Sequence, residues 1–309
     1  MSKQHPMFLV AAFYQFVDLP DFKKLQEPIE TLCRKNGVLG TVLLAEEGIN
    51  GTLAGSDEGM RSVLSGLRSI PEFAGLEHKE SVVEKMPFVR LKVRFRKEIV
   101  TLGIPGINPA LRTGTYVEAE KWNDVVSQPD VVVVDTRNDY EVAIGSFKGA
   151  LDPHTKTFRE FPAFVEKNLD PKKTPKVAMY CTGGIRCEKA SAYLLSKGFS
   201  EVYHLKGGIL KYLEKVRPED SRWEGECFVF DKRVSVDHSL KKGAFDFCPG
   251  CRRPVAPEDK SSRKYISGVA CPKCHDSLSE DQKKRFAERD KQIRLAKARR
   301  EAQGQIPSF

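Results

Sequence analysis

No stretch of this chain is apolar for long enough to span a bilayer, which argues against a helical membrane protein. The opening segment, MSKQHPMFLVAAFYQF, has too short a hydrophobic run and no small-residue cleavage site, so no secretory leader and a cytoplasmic location are expected. Flavin, haem and non-haem iron signatures are also missing, so the chemistry is sought among side chains. Acidic residues are in deficit: 51 Lys and Arg against 42 Asp and Glu leave a net charge of +9. That balance suggests a polyanionic partner, nucleic acid first, although it fits a merely soluble protein too.

At 309 residues the chain has room for two or three domains, each with its own core. Its eight cysteines suit a reducing compartment: Cys181 and Cys187 stand close together, two Cys-x-x-Cys pairs follow, and Cys33 and Cys227 are left over, Cys227 as a packing residue.

The most informative stretch is VAMYCTGGIRCE, Val177 to Glu188: an apolar strand, a cysteine, a glycine-containing turn, an arginine and a helix start. A cysteine there meets the N–H groups of a tight loop and the positive end of a helix dipole, both of which favour thiolate over thiol. Cys181 is therefore the candidate nucleophile. Thr182, Gly183, Gly184 and Ile185 form the loop, the glycines letting successive N–H groups converge, and Arg186 closes the ring. Four residues separate Cys181 from Arg186, a loop sized for sulfur. Phosphatases of similar plan place five residues there, so the short spacing argues against phosphoryl transfer. CTGGIR resembles the active-site loop of the rhodanese family. Upstream VVVVDTRNDYEVAIGSFKGALDP and downstream VYHLKGGILKYL are similar to the strand, Asp-x-Arg turn and Gly-Gly element of that family.

Residues 1–105 alternate strand and helix: a strand over Phe8–Phe16, a helix over Asp21–Lys35, and a hairpin of Gly40–Ala45 with Thr52–Ala54 turning through Glu46–Gly51. Ser56 caps a second helix running to Ser69. Val89–Arg96 is the expected last strand of a β-α-β-β-α-β, ferredoxin-like domain. In it Val89, Leu91, Val93 and Phe95 alternate with Arg90, Lys92, Arg94 and Arg96, which places four cations on one face. Such a face suits an RNA backbone; the alternative is an ordinary solvated sheet face. The turn AEEGINGT suggests turn geometry and no chemistry of its own.

The Gly- and Pro-rich GIPGINPALRTG, Gly103 to Gly114, reads as a linker into a rhodanese-like α/β domain over residues 106–218. The continuous valine strand Val131–Asp135 suits a parallel, doubly covered sheet. Asp135 and Arg137, just past its carboxyl end, either orient or screen the cysteine loop or form an ion pair that ties their own turn. Cys187 is either a second redox-active thiol beside Cys181 or a small buried helix residue. His204 lies in a strand and reads as structural.

Residues 219–309 change character. CFVFDKRVSV reads as a hairpin about Asp231 and Lys232. Cys248-Pro-Gly-Cys251 and Cys271-Pro-Lys-Cys274 are separated by nineteen residues, the spacing of a four-thiolate zinc site, with a redox or vacant thiol cluster as the alternative and His275 only a substitute ligand. Glu280 to Arg300 is a charged helical pattern, either a basic arm for RNA or a solvated helix.

This order of parts, with LLAEEGINGTLAG, CTGGIRCEKA and CFVFDKRV followed by paired cysteines, resembles the bacterial TrhO family over nearly the whole chain. The resemblance implies hydroxylation of the wobble uridine of tRNA to 5-hydroxyuridine, with molecular oxygen as co-substrate, the anticodon loop as partner and the reductant unassigned. Chemically, a thiolate added at carbon 6 of uracil gives carbon 5 enolate character, and a base in a single-stranded loop splays out at modest cost. A persulfide on Cys181 is the alternative reacting species. Two other functions stay open on the residues alone: a sulfurtransferase acting on a small thiophile or tRNA, and a non-catalytic tRNA-binding adaptor.

Overall fold

The computed structural model describes residues 7–174, 176–231 and 233–302, so Lys232 of the expected hairpin turn lies outside the described residues, as do the side chains of Lys297 and Arg300. The first domain is a five-stranded sheet with two helices on one face. Its elements are β1 (Phe8–Phe16), α1 (Gln26–Lys35), β2 (Leu39–Ala45), β3 (Gly48–Gly55), α2 (Asp57–Arg68), β4 (His78–Val83) and β5 (Leu91–Phe95), in the order β4-β1-β3-β2-β5. Ser56 caps α2, its hydroxyl accepting the Gly59 N–H at 3.1 Å. Ile29, Leu44, Ile49, Val63 and Phe73 fill the core between sheet and helices.

The ferredoxin-like plan is present, but the strand that completes it differs from the one expected. β4 takes the fourth place, antiparallel to β1, and β5 is an extra edge strand parallel to β2. HKESVV carries no clean apolar alternation, because His78 and Glu80 pair with Arg68 and Arg61 of α2 while Lys79 reaches the second domain. β5 is also shorter than Val89–Arg96: Val89 is 71% exposed and Phe95 37%, so Val93 alone is fully buried. The hairpin turn is likewise tighter than expected, β3 beginning at Gly48 rather than Thr52. The helix expected from Asp21 opens with a 3-10 turn, Phe22–Leu25, before α1.

The second domain places β6 (Thr115–Val117), α3 (Ala119–Val126), β7 (Val131–Asp135), α4 (Asp139–Val142), β8 (Gly145–Phe147), α5 (Phe161–Asn168), β9 (Lys176–Tyr180), α6 (Ile185–Ser196), β10 (Glu201–Leu205) and α7 (Gly208–Lys215) around a parallel sheet ordered β6-β10-β9-β7. β9 is central and wholly apolar at Val177–Tyr180, with one buried cluster on each face. Parallel strands joined by helical crossovers bury both faces, which is why these strands read as continuous hydrophobic runs. Cys181 follows β9 at the carboxyl edge of the sheet, where open α/β sheets place their sites.

Beyond this domain β11 (Trp223–Gly225) pairs with β8, and β12 (Cys227–Phe228) with β13 (Ser235–Val236). A small hairpin, β14 (Asp246–Phe247) with β15 (Pro254–Val255), leads the four-cysteine module, and α8 (Glu280–Ala302) ends the described chain. Among the described residues no helix is long and apolar enough to cross a membrane.

The first two domains are joined by a buried ion cluster. Lys189 of α6, its side chain 1% exposed, donates to Glu47 at 2.5 Å and Glu98 at 2.6 Å. Glu47 also accepts the Ile99 N–H at 2.7 Å, and Asn50 donates to the Ile99 carbonyl at 3.0 Å. The AEEGINGT segment thus contributes a docking carboxylate as well as a turn. Replacing Lys189 with Met strands two carboxylates together, and removing one partner of a buried pair costs about 3–5 kcal/mol. Lys189→Met should therefore show an early transition in denaturant as the domains separate. A midpoint identical to wild type would count against the cluster as the joint.

Candidate active site

The loop from Cys181 to Arg186 connects β9 to α6, whose first turn follows at once and presents its free N–H groups to the sulfur. Gly184 has φ +107, a conformation L side chains rarely adopt, and its N–H donates to Cys181 Sγ at 3.0 Å. Gly208, φ +67, supports the loop from the other side. A Cβ there would stand 2.4 Å from the Cys181 carbonyl oxygen, and the following Ile209 N–H donates to that oxygen at 2.9 Å. The Gly-Gly element is required by this close backbone approach.

Burial of Cys181, 1% exposed, acts against its ionisation. The Cys187 thiol, the Arg186 charge and the N–H groups of Gly184 and Cys187 outweigh it and hold the Cys181 pKa well below the ordinary thiol range. Cys187 itself is pushed the other way by burial and by the neighbouring thiolate, and stays a protonated donor; it also meets Thr136 Oγ1 at 3.4 Å.

Arg186 does not close the ring by bonding the sulfur. Its two terminal nitrogens donate to the two Glu141 carboxylate oxygens, each at 2.7 Å, so its influence on Cys181 is that of a nearby charge. Glu141 is fully buried, and despite the burial its carboxyl is held low by Arg186. Thr182 also donates to it, at 3.3 Å. Glu141 escaped the sequence reading, since a single glutamate on a four-residue helix gives no periodic signal. Asp135 and Arg137 are joined by a buried ion pair at 2.6 Å; Arg137 then donates to the main-chain oxygens of Glu141 at 3.2 Å and Gly145 at 2.6 Å. They sit behind Glu141 rather than against the sulfur.

The first domain reaches this loop. Lys79 of β4 donates to the Gly183 carbonyl at 2.9 Å and to the Gly207 carbonyl, and burial lowers its pKa to about 8. Tyr14 of β1 lies over Gly184, a Cβ on which would stand 2.6 Å from the tyrosine oxygen. Neither residue carries a sequence motif. His204 donates from Nε2 to the Gly114 carbonyl, 3.1 Å away, and burial lowers its pKa to about 4, a structural placement.

Two other candidate groups lie apart. Arg90, Arg94 and Arg96 are exposed and Lys92 partly so, with no carboxylate within 4.0 Å among the described residues. The Arg90 charge, then Arg94, depresses the Lys92 pKa. The sulfurs of Cys248, Cys251, Cys271 and Cys274 lie within 4.8 Å of one another and form a group that can hold one metal ion. His275 pairs with Asp276 at 2.9 Å.

Ultraviolet thiolate absorbance, taken as the difference between wild type and Cys181→Ala, should persist far below the pKa of about 8.5 of a free cysteine. Cys187→Ala removes a donor to the thiolate and should move the midpoint upward. A wild-type midpoint near the free value would refute an ionised Cys181.

The model of the UPF0176 acylphosphatase like domain matches residues 8–99, and that of the rhodanese-like domain matches residues 118–215. A tRNA uridine(34) hydroxylase of Agrobacterium fabrum is 60% identical over 294 residues, 95% of this chain and 94% of the relative. Another of the same name, from Rhizobium leguminosarum, is 58% identical over 292 residues, 94% of each. With sequence similarity at that level from the first domain to the last, the chain belongs to the tRNA uridine(34) hydroxylase family, the family its motifs resemble.

Proposed function

We propose that this enzyme hydroxylates uridine 34 of tRNA through covalent addition of the Cys181 thiolate to carbon 6 of the base. The observation that carries the reading is an ionised sulfur held in a short loop, in a chain similar from end to end to hydroxylases of that nucleoside. Addition at carbon 6 leaves carbon 5 with enolate character, and that carbon adds molecular oxygen, the co-substrate, as a hydroperoxide. Loss of the carbon 5 proton and departure of the thiolate restore the ring as 5-hydroperoxyuridine. The freed Cys181 thiolate takes the outer oxygen, which leaves 5-hydroxyuridine and a sulfenic acid on Cys181. Cys187, whose thiol acts on Cys181, displaces that oxygen as water, one disulfide formed per turnover and reopened by a cellular thiol reductant. Asp135 and Arg137 are positioning residues acting through Glu141.

Uridine 34 lies in the anticodon loop, where a base is splayed without breaking a pair. Arg90, Lys92, Arg94 and Arg96 are the backbone-binding edge in this reading, supported by crowded cations without counter-charges. Cytoplasmic residence follows from a tRNA substrate. For the four-cysteine module, sulfur separations of 3.7, 3.6 and 3.8 Å agree with the edge of about 3.8 Å that a tetrahedron with zinc–sulfur bonds of about 2.3 Å requires. Cys248, Cys251, Cys271 and Cys274 would hold a structural zinc ion, which when bound supplies folding energy to a segment with little apolar content.

Nucleoside mass spectrometry of tRNA from cells lacking the protein tests the reading. Wild type should restore an oxygen on uridine 34, Cys181→Ala should not, and Cys187→Ala should restore less. A missing sulfur in its place, or full restoration by Cys181→Ala, would overturn it. Reversing the charges of Arg90, Lys92, Arg94 and Arg96 should make the salt dependence of tRNA binding shallower by about 3 units of log–log slope, whereas an unchanged slope removes this edge from the interface. Metal analysis should find one zinc per chain, and its removal by a chelator should open residues 248–274 to protease.

A further inference from the structure

We infer that Glu188, held between Tyr14 of the first domain and Tyr116 of the second, is the base that takes the carbon 5 proton of the uridine bound to Cys181. The inference rests on the role proposed above for Cys181, and it gives the first domain a direct part in the chemistry. Tyr14 donates to Glu188 Oε1 at 2.7 Å, and the Tyr116 hydroxyl also acts to favour the same carboxylate. The Tyr14 hydroxyl rests on Gly184, the residue whose N–H holds Cys181 Sγ at 3.0 Å. The carboxylate is therefore stationed at the loop that carries the nucleophile. It keeps partial exposure between two buried neighbours, Cys187 and Lys189.

What faces Glu188 separates it from an ordinary docking residue. Next to it in sequence, Lys189 joins the domains by ion pairing with Glu47 and Glu98. Glu188 has no such counter-charge among the described residues. Tyr14 comes from β1, Tyr116 from β6, the Cys181 sulfur from the loop and Glu77 from the segment before β4, while Thr113 touches only its main-chain oxygen. Burial lifts its carboxyl to about 7, the charges of Cys181 and Glu77 adding to the shift and the two tyrosine hydroxyls opposing it. At neutral pH such a group both accepts and returns a proton, the condition for efficient general acid–base catalysis.

The step balances within the residues named. After Cys181 has added at carbon 6 and carbon 5 is tetrahedral, the Glu188 carboxylate takes the proton from carbon 5. The electrons of that C–H bond become the carbon 5–carbon 6 double bond, the carbon 6–sulfur bond breaks, and Cys181 leaves as thiolate. Glu188 then passes the proton to water. No electrons are gained or lost, so the step runs without oxygen: carbon 5 of the adduct, protonated in place of oxygenated, exchanges its hydrogen with solvent.

Tritium release from tRNA carrying 5-tritiated uridine 34, measured anaerobically with the full-length protein, isolates this step. Wild type should release tritium with a rate rising through pH about 7, and Cys181→Ala should release none. Glu188→Gln should lose about 100-fold or more, the usual contribution of a positioned base, with tRNA affinity unchanged. Tyr14→Phe removes a hydrogen bond that favours the carboxylate, so its rate should rise only at higher pH; this shift reports on Glu188 even where Glu188→Gln folds poorly. Release by Glu188→Gln at the wild-type rate, or a Tyr14→Phe profile superimposed on wild type, would overturn the role of Glu188 while the role of Cys181 stands. No release from wild type would overturn the Cys181 adduct itself.

Discussion

A thiolate removed from water survives only if the groups around it replace the lost hydration, and much of this fold can be followed outward from that requirement. Cys181 obtains its replacement from the Gly184 N–H, the Cys187 thiol and the Arg186 charge. Arg186 is itself buried and would be intolerable alone, so it carries Glu141 with it. Glu141 is fixed in turn by its helix: its other bond reaches back to the Asn138 N–H at 3.1 Å, closing a capping box on α4. Behind that helix Arg137 grips the Glu141 and Gly145 carbonyls while neutralising Asp135. One ionised sulfur thus obliges two buried ion pairs and the cap of a short helix.

Parts distant in sequence act on the same small structure. Lys79 holds the Gly183 carbonyl from the first domain, and Thr182 touches the Phe228 carbonyl of the C-terminal hairpin at 3.4 Å. Phe230 of that hairpin lies 5.9 Å from the Arg186 guanidinium. The four-cysteine module is connected as well, because Arg253, beside it, pairs at 3.1 Å with Asp139, the first residue of α4. A metal in that module would therefore steady the helix that bears Glu141, without approaching the reacting sulfur.

The elements legible in the sequence were those whose signal is local. β1, β7, α3 and the spacing of both cysteine pairs were readable because an apolar period or a ligand interval is written into consecutive residues. The cysteine loop was readable for the same reason, a strand, a turn and a helix start lying within twelve residues. β4 was not, because HKESVV earns its place by pairing with β1 and by sending Lys79 into another domain. Tyr14, Lys79, Glu141 and Glu188 were missed together: each acquires its meaning from a partner at least 41 residues away. β5 failed in the opposite sense, its alternation promising a buried face that an edge position supplies only at Val93.

The Arg186–Glu141 pair also bears on which substrates the loop can accept. In a loop that binds a free anion, an arginine turns its N–H groups toward the incoming charge. Here both terminal nitrogens are engaged by a buried carboxylate at 2.7 Å, so the pair is neutral and the loop's remaining positive character is matched to one sulfur. A second anion such as thiosulfate would enter against the Cys181 charge, with both Arg186 terminal nitrogens already turned to Glu141. A neutral, planar base meets no such repulsion and needs from the loop only a reactive thiolate. The geometry of one ion pair therefore favours nucleobase chemistry over anionic sulfur donors, a distinction that the shared CTGGIR motif does not itself contain.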